Sequence, residues 1–153
     1  MNKRIFTGSY DKCKAGNLIS ISFDKGKSAG FEGKTMLELA PYRDFFDVWR
    51  DNKGKIPEEE NTRYYIEQYY NKILSKVNIE ELLKDEKDPI LLCYEESNDF
   101  CHRHVLAEHI NIKYGIVVPE IEINEDLEIK VNQRPSNIRP ILEEVMQKEI
   151  NER

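Results

Sequence analysis

Residues 89–94 read PILLCY, and from Ile90 to Tyr94 nearly every position is apolar. A strand with one wet face alternates apolar and polar residues. An unbroken run instead suits a strand covered on both faces, as in a parallel sheet between helices. The segments on either side agree with a central strand. RIFTGSY (4–10) and LISISF (18–23) read as two further strands, the second placing Ile19 and Ile21 on one side. DKGKSAGFEG (24–33) holds three glycines and reads as a loop.

Helical patterns fill most of the interval between these strands and the central run. After Pro41, Phe45, Val48 and Trp49 share a stripe, and Asn52-Lys53-Gly54 ends that helix. Pro57 and Glu58–Glu60 open the next, where proline fits the first turn and acids complement the positive end of the dipole. It runs to about Val77, and its tyrosines at 64, 65, 69 and 70 read as core and rim. Ile79 to Lys84 adds a short acidic turn. A helix from about Phe100 to Tyr114 follows the central strand. This order predicts an α/β fold, a single three-layer domain with a mostly parallel central sheet and helices on both faces.

After Pro119 the pattern changes. Ile121, Ile123, Leu127, Ile129 and Val131 fall on odd positions around Asn124-Glu125-Asp126, which reads as a β-hairpin. From Pro140 an amphipathic helix carries Ile141, Leu142, Val145, Met146 and Ile150. The chain thus divides into an α/β domain over 1–120 and a C-terminal extension over 121–153. The extension is expected either to pack on the domain or to mediate association, including a homodimer.

With 153 residues, one core suffices without a disulfide or metal. The three cysteines, Cys13, Cys93 and Cys101, form no Cys-x-x-Cys pair, so reduced thiols and a cytoplasmic location are expected. No apolar run is long enough for a membrane span. The net charge is −6, unevenly spread: 11 Lys/Arg stand against 7 Asp/Glu up to Lys55, and 12 against 22 after it. The basic third could draw an anion or be a solvated surface. It lacks the broad basic face that duplex binding needs, so nucleic acid is not the expected partner.

The chemistry concentrates where the central strand ends. Cys101, His102 and Arg103 fall in the opening turn of the helix after it. In open α/β sheets ligands gather outside the carboxyl ends of strands, and a helix mouth offers free N–H groups to an anion. Arg103 could fork a phosphate or carboxylate. His102 could move a proton, and Cys101 could be a nucleophile activated by its neighbours. Adjacent helical residues diverge by about 100°, which argues against His102 serving Cys101. Three readings stay open: thiol chemistry, an anion site, or a structural cluster in which Arg103 pairs with an acid such as Glu95. All three histidines (His102, His104, His109) lie in this helix, but no spacing matches a zinc module, and no native metal is expected.

LLCYE, a polar gap and FCHRHVLAEHI together resemble the signature of the domain of unknown function 488 family. IFTGSY, NLISIS, GFEGK before LELAP, YIEQYYNKIL and GIVVPE agree in order, so the resemblance spans residues 4–120. It implies a compact α/β domain with a shared polar site, but names no reaction and no cofactor. The family pattern falls on Thr7, Ser9, Tyr10, Phe31, Gly33, Lys34, Ala40, Pro41, Cys93, Glu95, Cys101, His102 and Arg103.

The leading expectation is a protein that binds a small phosphate- or nucleotide-like anion at the strand end. Arg103 would hold the charge, with Cys101 and His102 as catalytic candidates. Thr7, Ser9, Tyr10, Lys34 and Glu95 would complete the site. The alternative is a non-catalytic interaction module, with no pocket at the strand end and an apolar surface on the terminal helix.

Overall fold

The central run becomes β4 (Pro89–Cys93), buried at all five positions in the computed structural model, which describes residues 1–151. On one side β4 pairs in parallel with β1 (Phe6–Ser9), placing Gly8 against Leu92. On the other it pairs in parallel with β2 (Asn17–Ser20), placing Leu18 against Ile90. Alternation along β4 sends Leu91 into one apolar cluster, and Ile90 and Leu92 into another across the sheet. The unbroken apolar run thus serves two cores.

The sheet extends in both directions. β3 (Lys34–Thr35), a two-residue edge strand beyond β2, falls where no apolar alternation marks a strand. β5 (Glu120–Ile123) joins β1 in parallel, and β6 (Ile129–Asn132) closes the predicted hairpin antiparallel to β5. The order is β3-β2-β4-β1-β5-β6.

The larger core takes buried residues from every helix: α1 (Arg43–Asn52), α2 (Glu58–Tyr69), α3 (Ile79–Leu83), α4 (His102–Tyr114) and α5 (Ile138–Asn151). All five therefore pack on the Leu91 face. The layer on the other face, expected to be helical, is made of loops around a short 3-10 turn at Lys27–Ala29. There Tyr10, Cys13 and Phe31 pack on Ile90, Leu92, Ile121 and Ile123. Two glycines permit that close cover. A Cβ on Gly8 would stand 2.3 Å from Cys13 Sγ, and one on Gly26 would stand 2.8 Å from both the Tyr10 ring and Phe31 Cβ.

α2 ends earlier than its pattern suggested, passing into one π-helical turn over Tyr70–Leu74. The segment after residue 120 is integral to the fold over its described part, residues 152 and 153 lying outside that range. α5 spends its apolar face, Ile138, Ile141, Leu142 and Val145, on α2 and α4. Among the described residues no helix is long and apolar enough to cross a membrane.

Leu91 is fully buried between sheet and helices, whereas Val131 on the edge strand is 67% exposed. Leu91→Ala is expected to lower the unfolding free energy by about 2–5 kcal/mol, and Val131→Ala by less than about 0.5 kcal/mol, in denaturant titrations.

Candidate functional site

The connection after β2 leads outward to β3, while the one after β4 leads the opposite way to β5. Neighbouring strands whose chains depart in opposite directions leave a crevice at their carboxyl ends. A cavity of about 330 Å³ occupies that place. The loop after β2 contributes Ser22, Phe23, Asp24 and Ser28, and the helices contribute Phe46, Trp49 and Tyr65. The end of β4 and the mouth of α4 contribute Cys93, Tyr94, Glu95, Phe100, Cys101 and His102.

The wall is largely aromatic. Phe23, Phe46, Trp49, Tyr65 and Phe100 contact one another in sequence, with ring centroids 5.0–5.7 Å apart. Tyr94 lies against Tyr10 at 4.8 Å, and its hydroxyl donates to Asp24. Asp24 also accepts from the backbone N–H of Gly26 and Ser28, which shapes the loop. Burial pushes its carboxyl up, but these hydrogen bonds outweigh burial and hold it below its ordinary range. The lining therefore includes two acids, Asp24 and Glu95, and neither lysine nor arginine.

His102 and Cys101 converge on the cavity floor, with Cys101 Sγ 3.7 Å from His102 Nδ1. The divergence expected of adjacent helical residues does not apply, because Cys101 is the N-cap and has extended backbone (φ −155°, ψ 152°). His102 Nε2 lies 2.7 Å from the carbonyl oxygen of Ile21, which can only accept, so Nε2 carries the proton. Nδ1 is then the free lone pair, and it faces the sulfur. Burial, with the Arg103 charge nearby, lowers the His102 pKa to about 4, so the ring is neutral near pH 7.

Cys93 and Cys101 are joined as a disulfide, with Cα atoms 7.5 Å apart. This corrects the expectation of reduced thiols. The loop 94–100 folds the end of β4 back onto the mouth of α4, a proximity that a separation of eight residues does not reveal. Cys13 stays free and buried, and burial pushes its thiol up to about 12. The spacings of the histidines and cysteines match no zinc module, yet three donor groups gather at the cavity floor. One donor atom each from Cys93, Cys101 and His102 lie within 4.8 Å of one another.

Arg103 does not face the cavity. It is 0% exposed, and its Nε and Nη2 donate to Glu120 at 2.7–3.2 Å. Nη2 also reaches the Glu95 carbonyl at 2.7 Å, and Nη1 reaches Cys93 Sγ at 3.0 Å. The expected anion clamp is thus an internal ion pair, because a carboxylate of the fold already fills its fork. The partner is Glu120 rather than the Glu95 carboxylate. Burial raises the Glu120 carboxyl, but the Arg103 hydrogen bonds and charge outweigh it and bring the pKa to about 2.

The other predicted residues scatter. Thr7 donates to Glu120 at 2.7 Å and accepts from Arg134 at 2.7 Å, so it serves the same buried network. Ser9 donates to Asp11, and Tyr10 bonds Ser20 and Ser22 behind the loop wall. Lys34 pairs with Glu86, in the turn before β4 and so at the opposite end of the sheet. Glu95 alone of this group lines the cavity. Sequence reasoning missed Glu120 and the aromatic wall. Trp49 and Tyr65 carry the spacing of a helix's core face, and nothing in that spacing marks the side that stays open.

Two predictions test this network. Glu120→Gln leaves the Arg103 charge buried and under-paired, and is expected to cost about 3–5 kcal/mol by chemical denaturation. The second concerns histidines. Burial lowers His104 to about 3, with Arg103 adding to the effect, and lowers His109 to about 4, with Lys113 adding. Both folded values lie below the unfolded value of about 6.5, so unfolding takes up protons. Their stabilisation is full above about pH 6.5 and is lost as pH falls through 4. Tm is expected to start dropping below about pH 6.5, before the carboxylates titrate. His109→Leu should flatten that part of the curve, since both His109 ring nitrogens are buried with no hydrogen-bond partner among the described residues.

Residues 20–113 match DUF488-N3a, described as the active DUF488-N3 subclade. That span runs from the last residue of β2 through β3, β4 and nearly all of α4, and holds the whole cavity lining and the Cys101-His102-Arg103 run. No curated protein and no solved structure matches the chain. The match covers more than half of the sequence and carries the motif on which the cavity floor is built, and the chain belongs to the DUF488 family.

Proposed function

We propose that this protein binds a small planar ligand, neutral or cationic, in the aromatic cavity between the ends of β2 and β4, with Cys101 and His102 at its floor. The observation that carries the reading is the lining itself: six aromatic rings and two carboxylates, with no lysine or arginine. Aromatic faces stack on flat rings and attract cations. Asp24 and Glu95 accept hydrogen bonds from ring N–H or amino groups, and Ser22 and Ser28 offer hydroxyls. A nucleobase-like heterocycle has this chemistry. A bare phosphate fits this lining less well, since two acids repel it and Arg103, the arginine of the motif, is already paired with Glu120.

This changes the ligand expected from the motif while keeping its place at the strand end. The description of the subclade as active supports giving Cys101 and His102 a part in chemistry. His102, neutral with a defined tautomer, presents a base toward the sulfur. The interaction-module alternative draws less support, because α5 buries its apolar face within the chain and the strand end opens into a cavity.

Trp49 is the single tryptophan and lines the cavity, so its fluorescence reports on occupancy. Free nucleobases and related aminated heterocycles are expected to quench it saturably, whereas phosphate and pyrophosphate leave it unchanged. Phe100→Ala should weaken binding of the effective ring by about 5- to 150-fold, the worth of one stacking contact of roughly 1–3 kcal/mol. Saturable binding of phosphate alone, or no response to any heterocycle, would overturn the reading.

A further inference from the structure

We infer that Cys93, Cys101 and His102, once the disulfide is reduced, form a binding site for a thiophilic divalent cation of the zinc class, with its fourth position open to the cavity. The three donor atoms lie within 4.8 Å of one another, and Cys101 Sγ and His102 Nδ1 are 3.7 Å apart. Ligands of tetrahedral zinc stand roughly 3.5 Å apart, as follows from bonds of about 2.0–2.3 Å. The cluster is thus within a small adjustment of that geometry. The 7.5 Å between the Cα atoms of Cys93 and Cys101 exceeds the usual disulfide range of about 4.4–6.8 Å. An ion between the sulfurs suits that backbone spacing better than a direct bond.

The surroundings are those of a metal site. A ligating histidine usually donates its other ring N–H to a carbonyl or carboxylate, which fixes the tautomer and aims the lone pair. His102 Nε2 meets this with the Ile21 carbonyl at 2.7 Å. Arg103 Nη1 donates to Cys93 Sγ at 3.0 Å, and Cys101 sits at the positive end of α4, so both sulfurs are favoured as thiolates. Charge closes as well: two thiolates balance a divalent ion, and Glu120 already balances Arg103. Two thiolates and an imidazole suit zinc rather than magnesium or calcium. All three residues line the cavity, which is the path of entry. Among the described residues the donor cluster contains no fourth protein ligand. Water or a heteroatom of a bound ring would complete the tetrahedron, the open arrangement that zinc uses to activate a ligand.

Loading requires the disulfide to open. A phosphine supplies the two electrons and becomes its oxide by taking oxygen from water, whose two protons go to the sulfurs. Zinc then displaces those protons to solvent as the two Zn–S bonds form. The inference uses the same cavity as the proposed ligand but does not depend on that ligand being correctly identified.

The test is native mass spectrometry of the full chain, oxidised or phosphine-reduced, with zinc and a competing chelator, together with cobalt(II) absorption. One zinc per reduced chain and none per oxidised chain are expected, with thiolate-to-cobalt charge-transfer bands. Cys101→Ser should weaken binding by about 100-fold or more, beyond the ~10–100-fold that a change in a merely supporting group costs. That variant guards against misfolding, since serine is a preferred N-cap and its far-ultraviolet circular dichroism should be unchanged. Cys13→Ser should bind as the parent does. No zinc bound at micromolar concentration by the reduced parent would overturn the inference. So would binding that survives in Cys93→Ser/Cys101→Ser, or cobalt spectra lacking thiolate bands. Because no heterocycle is present, failure here leaves the ring-binding proposal standing, and failure of the fluorescence test leaves this one standing.

Discussion

The buried ion pair between Arg103 and Glu120 ties the mouth of α4 to β1, β5 and the loop after β4, the frame on which the cavity floor is built. Arg103 belongs to the first turn of α4 and Glu120 opens β5, and both side chains are fully buried. An unpaired charge in such a place costs several kcal/mol, so each side chain requires the other. Around them Thr7 on β1 and Ser97 in the loop after β4 donate to the same carboxylate, while Arg103 also holds the Glu95 carbonyl. The mouth of α4, the exit of β4 and the first strand are thereby locked in register. The Cys101–His102 pair can sit in one orientation because the residue after it is pinned.

That pin separates two polar worlds. Inside, Thr7, Arg103, His104 and Glu120 form a buried network, which the partly exposed Arg134 closes by donating to Thr7 and His104. Outside, beyond the plane of Cys93 and Cys101, the cavity is aromatic with acids at its margin. Arg103 touches both, through Glu120 on one side and the Cys93 sulfur on the other. Toward the cavity it reaches only the Cys93 sulfur, and Glu120 already fills the fork that an incoming anion would need. The motif thus divides its labour, with Cys101 and His102 facing the opening and Arg103 facing the frame.

Much of this was legible along the chain. The unbroken PILLCY run marked the central strand, because only a strand covered on both sides leaves no polar position. The helix mouth after it marked where a site would form, and the odd-position isoleucines marked the hairpin. Lys34 misled for a physical reason: a flexible lysine near glycines looks like a ligand contact, but β3 carries it to the wrong end of the sheet. Thr7 and Glu120 show a similar limit. A threonine on a strand can face a cleft or a buried carboxylate, and the partner that decides lies 113 residues away.

The sequence by itself determined the α/β order of elements, the central position of β4 and the collection of cysteine, histidine and arginine where that strand ends. Those follow from local rules: apolar periodicity, proline and glycine punctuation, and the electrostatics of a helix start. Only the tertiary structure decided what the collected groups do. Helical rotation separates neighbouring residues, yet the extended N-cap backbone of Cys101 turns its sulfur onto His102. Eight residues separate Cys93 from Cys101, yet the returning loop brings them together. The carboxylate that pairs with Arg103 comes from a strand that the chain reaches 17 residues later. Proximity across such separations is fixed by packing of the whole sheet, and no window of sequence contains it.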